Sequence, residues 1–340
     1  MDINNYQLTV NSKKCQNIAT ILHGAYGDYF EQLLCIADLI KKNPQHKFHL
    51  FFANKHRMIE FSKLDLGLFA TVAVAVADTI ESIDIDLFYQ FQVFDAELKE
   101  EVLDHLSEAT LSKMNRNVNL LPHIYMHKIQ EQKKNRFPFV FNELGKDNFQ
   151  EILSTLPKNT FQGKTIGFMW RYRGKNGAVS PFLMPDKEVL INKYSQVFRS
   201  AIEEWNCNII IAGMKVITTE ENINIVDRKF PEYGLNFQHE NLHYLPGKGW
   251  LAEVELLSQC DIVICHPSGF SEAIFLKGKE CLAIDIPLHY VLKTIKNSFP
   301  LFDIGLTNLK QLSILFRSIF QRHTKQFLNK KINIVFSKKK

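Results

Sequence analysis

Short apolar runs alternate with longer amphipathic stretches along most of this chain, and that rhythm restricts the fold more than any other feature. Asn17 to His23 (NIATILH) reads as a buried strand and Gly24 to Gly27 as a turn. Asp28 to Lys42 follows as a helix, with Phe30, Leu33, Leu34, Ala37 and Ile40 at helical spacing. Phe48 to Phe52 and Thr71 to Ala77 are the next strands. Parallel strands need long crossovers, so strands separated by helical stretches predict a parallel sheet with helices on its faces.

The middle of the chain is less regular. Ala96 to Met114 reads as a charged amphipathic helix, the charge run after Tyr125 as a solvated face or a loop, and Phe137 to Lys158 as a connector. A second series then begins. Thr165 to Trp170, Asn208 to Gly213, Leu242 to Leu245, Asp261 to Cys265 and Cys281 to Asp285 read as strands. Lys187 to Trp205, Trp250 to Ser258 and Leu309 to His323 read as helices. A chain of 340 residues accommodates two domains. The expected fold is α/β, two Rossmann-like doubly wound domains facing a cleft, at 1–155 and 156–325, with a basic tail at 326–340.

Open parallel sheets bind ligands beyond the carboxyl ends of their strands. That rule selects the loops 23–28, 170–181 and 265–272. In the last, Ser268-Gly269 precedes a helix, where free N–H groups and the positive helix end suit a phosphate. Glu272, in the first helical turn, suits a ribose diol. Ser268 as a simple helix cap explains the same spacing. In the loop WRYRGKNGAVSP, Arg171, Arg173 and Lys175 alternate, which suits a leaving diphosphate and equally a solvated basic hairpin. Gly213 and Lys248 stand in two further loops after strands, and Trp250 suits either base stacking or the core.

The stretch Ser268-Gly269, Gly278-Lys279, then Cys281-Leu282-Ala283-Ile284 resembles the nucleotide-sugar loop of GT-B glycosyltransferases. It is most similar to the glycosyltransferase family 9, heptosyltransferase-like pattern. Two departures stand out: Glu272 where that family has His, and Glu280 where Pro follows Gly-Lys. The segment HGAYGDYFEQLLCIADLIKKNPQHKFHLFFAN resembles the family's opening strand, Gly-rich loop with Gly-Asp, helix, Pro and second strand. The resemblance covers both halves in outline and rests on Gly24, Gly27, Asp28, Ser268, Gly269, Glu272 and Gly278. It implies that Asp28 is a general base, taking the proton of an acceptor hydroxyl as that hydroxyl attacks the anomeric carbon. Asp28 also stands where a helix N-cap belongs, and His23 is the alternative base.

The implied activity is transfer of a sugar from a nucleotide-sugar donor to a glycan or glycolipid acceptor, with inversion and without a metal or other cofactor. A nucleotide-sugar 2-epimerase shares the fold and has a Ser-Gly-Gly loop followed by Glu, but its Arg-Pro-Glu motif is missing from HGAYGD. A CMP-sugar transferase of sialyltransferase type would use His266-Pro267 on the leaving phosphate. A non-catalytic sugar-nucleotide binder would keep 268–272 and tolerate change at Asp28.

Other classes are disfavoured by what the sequence lacks. No G-x-G-x-x-G follows the first strand, and no P-loop occurs. Asp84-Ile85-Asp86 is the nearest metal-binding pair. The six cysteines form no CxxC, which fits buried thiols in a reducing, cytoplasmic setting. The net charge of +5 is too scattered for nucleic acid. No signal peptide or membrane span is evident. The tail lysines, interleaved with Ile332, Ile334, Val335 and Phe336, suit either peripheral contact with an anionic membrane or a solvated terminus.

Overall fold

The computed structural model describes residues 14–24, 26–93, 100–120, 140–169, 187–212, 235–265, 269–279, 281–283 and 328–337. Internal contacts divide the chain into two compact units between Asp147 and Asn148, with Leu276–Gly278 grouped with the first.

The first unit runs β1 (Asn17–Leu22), α1 (Tyr26–Lys42), β2 (Lys47–Phe52), α2 (Lys55–Phe61), β3 (Thr71–Val74), α3 (Ala77–Glu81), β4 (Leu87–Val93), α4 (Glu100–Leu103), α5 (Glu108–Ser112) and β5 (Met114–Leu120). Its sheet has the order β3-β2-β1-β4-β5, and all pairings are parallel. Ala19, Ile21, Phe51, Ile80, Phe88, Val102 and Leu106 form one apolar cluster. The long helix expected over 96–114 is not continuous. The Ser107 hydroxyl accepts the Thr110 N–H at 3.2 Å and starts a new helix, and a strand begins at Met114. Strands β4 and β5 escape the apolar-run criterion because Gln90, Gln92, Asn115, Arg116, Asn117 and Asn119 interrupt them. β5 lies at the sheet edge, where a polar strand is tolerated. The expected connector holds a helix, α6 (Glu143–Leu153).

The second unit contains β6 (Thr165–Met169), α7 (Lys187–Trp205), β7 (Asn208–Ala212), β8 (Leu242–Tyr244), α8 (Trp250–Ser258), β9 (Ile262–Cys265), α9 (Gly269–Leu276) and β10 (Cys281–Ala283). A last helix, α10, spans 328–337. The sheet order is β10-β9-β6-β7-β8, again all parallel. Numbered within each unit, both sheets read 3-2-1-4-5. Such a sheet binds ligands where the strand order reverses, which is between β1 and β4 in one unit and between β6 and β9 in the other. The loops selected at 23–28, 170–181 and 265–272 follow β1, β6 and β9. The final helix expected over 309–323 lies outside the described residues.

The core of this second unit is built on Phe168, Tyr194 and Phe198, whose rings pack at 4.9 to 6.2 Å between centroids. Helix α10 belongs to it. Leu328, Ile332 and Phe336 are buried in that cluster, and Trp205 Nε1 donates to Asn333 Oδ1 at 2.9 Å. Lys164 Nζ lies over the rings of Trp205 and Phe336. The segment expected as a basic tail is therefore a core helix from 328 to 337. Of its apolar residues only Ile334 is exposed, because a 3.6-residue repeat turns Leu328, Ile332 and Phe336 to one side.

The buried His49 and the half-buried His243 give the fold a pH dependence. His49 Nε2 lies 3.3 Å from Asn17 Oδ1, and His243 Nε2 lies 3.2 Å from Asn208 Oδ1. Burial lowers the pKa of both, and the Lys47 charge lowers that of His49 further. The unfolded chain, with histidine at its ordinary value of 6.5, then binds more protons than the native one. Their contribution to stability is present above that pH and is lost as pH falls through the folded values. The urea midpoint is expected to be lower at pH 5.5 than at pH 7.5, and His49→Gln with His243→Gln should flatten the profile. A profile equally steep in the double variant would exclude these residues as its source.

Candidate functional site

The turn between β1 and α1 is built around Gly24. Its φ of +97° is a conformation that a side chain disfavours. A Cβ placed on Gly24 would stand 2.5 Å from Asp28 Oδ2, so the Asp28 carboxylate folds back over the turn. Helix α1 begins at Tyr26, which puts Asp28 at the third helical position instead of the expected N-cap. A carboxylate there still faces the positive helix end, which favours its ionised form. Gly27 is buried inside the same first turn, and Gly24 is exposed. His23 follows β1 with its ring buried at 3% exposure.

Beneath this turn lies a shell that sequence reasoning did not single out. Gln32 is fully buried in α1, and its Nε2 donates to the carbonyls of His23 at 2.8 Å and Asp28 at 2.9 Å. The available signal was a Gln at helical spacing from Tyr29, Cys35, Ile36 and Leu39, all of them buried. Tyr26, Tyr29, Phe30, Phe52 and Phe61 pack as a ring cluster. The Arg57 guanidinium stands 3.6 Å over the Tyr26 ring. Asn54 caps α2 and so orients Arg57: its Oδ1 accepts the N–H groups of His56 at 3.0 Å and Arg57 at 3.1 Å. Burial raises the phenol pKa of Tyr26 against the lowering effect of Arg57, and the same two forces act on Tyr29 with the same result. These tyrosines stay neutral hydrogen-bonding groups at physiological pH.

In the second unit, the loop after β8 is organised by a residue missed in the sequence. Glu253 is buried in the first turn of α8, and its Oε1 accepts the Gly247 N–H at 2.7 Å. Gly247 has φ of +74°, as a Pro-Gly turn requires. Lys248 is exposed beside it. The Trp250 ring meets Phe270 edge-on at 5.7 Å and 86°. That contact ties the loop before α8 to the first turn of α9, where Gly269 is the first helical residue and Glu272 follows within one turn. Trp250 is half-buried: its ring packs on Phe270 and part of its surface stays exposed.

Arg171, Arg173, Lys175, Gly213, His266 and Ser268 lie outside the described residues. Asp86 and Asp84 precede β4, at the opposite end of the sheet from the β1–α1 turn. There the Asp86 carboxylate accepts the Asn17 N–H at 2.7 Å, and the Asp84 carbonyl accepts from Asn17 Nδ2 at 2.9 Å. Among the described residues no group of three His, Cys, Asp or Glu is placed to hold a metal ion. All six cysteines are free thiols. Burial pushes Cys207 and Cys260 up to about 12 and raises Cys265, at the end of β9, well above the ordinary range, so none of these three is an activated nucleophile. No helix among the described residues is long and apolar enough to cross a membrane.

The chain is similar to several solved structures. The family 9 glycosyl transferase of Veillonella parvula is 11% identical, with a TM-score of 0.54 over 92% of this chain and 99% of that one. The Escherichia coli ADP-heptose lipopolysaccharide heptosyltransferase II is 13% identical, with a TM-score of 0.49 over 79% and 84%. The UDP-GlcNAc 2-epimerase of Methanocaldococcus jannaschii is 10% identical, with a TM-score of 0.44 over 79% and 83%. No family model matches the sequence, and no curated protein matches it. The first likeness, together with the two parallel sheets, shows the fold to be GT-B, α/β with two Rossmann-like units.

Proposed function

We propose that this protein is a glycosyltransferase that moves a sugar from a nucleotide-sugar donor to a glycan or glycolipid acceptor. The observation that carries the reading is the Asp28 turn. A carboxylate folded over Gly24 stands beyond the carboxyl end of β1, at the point where the strand order of the first sheet reverses. In the proposed reaction Asp28 takes the proton of the acceptor hydroxyl. The hydroxyl oxygen bonds to the anomeric carbon, the bond from that carbon to the nucleotide's phosphate breaks, and the configuration inverts. Arg171, Arg173 and Lys175 neutralise the leaving phosphate in place of a metal, the first turn of α9 receives it, and Glu272 holds the ribose.

A cytoplasmic location and contact with an anionic membrane belong to the same proposal. With Ile332 and Phe336 buried, that contact would rest on the tail lysines Lys330, Lys331, Lys338, Lys339 and Lys340 and would weaken with salt.

The test of the donor site is a thermal-shift screen with UDP, GDP, ADP, CMP, dTDP and NAD, on the wild type and on Glu272→Ala. One of the first five is expected to stabilise the wild type, by about 2.7 kcal/mol at a hundredfold excess over its Kd. The shift should shrink in the variant. A response to NAD alone, or to none, would sink the transferase reading.

A further inference from the structure

We propose that Gln32 is a positioning residue for Asp28. Its side chain fixes the turn that presents the carboxylate. In its catalytic consequence the proposal rests on the reading of Asp28 as the base, whereas the positioning itself is measurable without turnover.

Gln32 lies in α1 at 0% exposure, next in sequence to the buried Leu33 and Leu34. An apolar side chain would serve the helix and its packing there at least as well. The amide instead spends both protons of one nitrogen on the turn. Nε2 donates to the carbonyl of His23, the residue before Gly24, and to the carbonyl of Asp28, one helical turn back. One nitrogen thus spans the whole bend from β1 into α1. Gln32 Oε1 has no hydrogen-bond partner among the described residues. Reversing the amide would aim that oxygen at two carbonyl oxygens, so the two donations dictate the orientation. A buried acceptor left unmatched is unfavourable, and such groups persist where the matched half of the amide has a task. Here the task is the path of residues 23 to 28. Gly24 at φ +97° lets the Asp28 carboxylate lie against the turn, and the Gln32 bonds hold that arrangement from beneath.

The test is Gln32→Met, which keeps the volume and the helix propensity and removes both donors. Gln32→Leu carries the same test if the Met variant does not fold. Amide hydrogen exchange across 24–28 is expected to quicken about tenfold, one unit in the logarithm of a local opening constant. By NMR titration the Asp28 carboxyl should titrate at higher pH than in the wild type, because a released carboxylate leaves the positive helix end. In sugar transfer kcat should fall with the donor KM unchanged. Unchanged exchange and an unchanged Asp28 titration would overturn the positioning. Faster exchange with unaltered kcat would overturn its catalytic consequence, provided that Asp28→Asn is inactive. An active Asp28→Asn would overturn the base and not the turn, because exchange and titration are read without substrate.

Discussion

Asp28→Asn is expected to lower sugar transfer about 10²- to 10⁴-fold, the range that a positioned general base contributes. The amide keeps the shape of the side chain and its place over Gly24, and it removes the proton acceptor. Stability should change little, since the lost anion near the helix end is worth only about 0.3–1 kcal/mol. The nucleotide-induced thermal shift should survive, because the donor residues proposed here lie in the other unit. Those three readings together separate a base from a cap. Lost stability with retained turnover would make Asp28 structural. Lost turnover with retained stability and nucleotide binding is the result that a base requires. Transfer at the wild-type rate would remove the mechanism.

The second large effect is on folding. Gly167 sits in β6, the central strand of the second sheet, and a Cβ there would lie 2.9 Å from Leu257 Cγ and 3.1 Å from Cys260 Sγ. Leu257 lies in the last turn of α8 and Cys260 follows the helix, so the glycine sets how closely that segment approaches the strand. Strand propensity alone would favour valine at this place. Gly167→Val is nevertheless expected to destabilise by about 2–3 kcal/mol, since an overpacked core must shift its backbone. At about 2–4 °C per kcal/mol for a domain of this size, calorimetry should show the melting point about 5–10 °C lower. Gly167→Ala should be milder. An unchanged or raised melting point in the valine variant would mean that α8 stands off the strand.

These two residues also mark how legible the protein was. The Gly27-Asp28 pair was readable because a strand, a glycine turn and an amphipathic helix stand in line, and each is a local pattern. Its exact helical position was not. The helix starts at Tyr26, two residues before the one the periodicity indicated, because a first turn carries no apolar repeat to announce it. Glu253 and Gln32 were passed over for the opposite reason. A polar residue in an apolar stripe has no meaning until its partner, Gly247 or the His23 carbonyl, is known to be near.

The sequence by itself determined the class of fold and the loops at which the strands end. Alternation of buried runs with amphipathic stretches is a record of burial, and burial on both faces of a strand permits little besides a parallel sheet under helices. The tertiary structure alone decided which strands neighbour which, and with that the two reversal points. It also decided that residues 328–337 close the second core instead of trailing as a basic tail, and that glycine at 167 is required by what lies above it. Each of these depends on contacts between residues far apart in the chain, and a local pattern reports that a residue is buried without reporting against what.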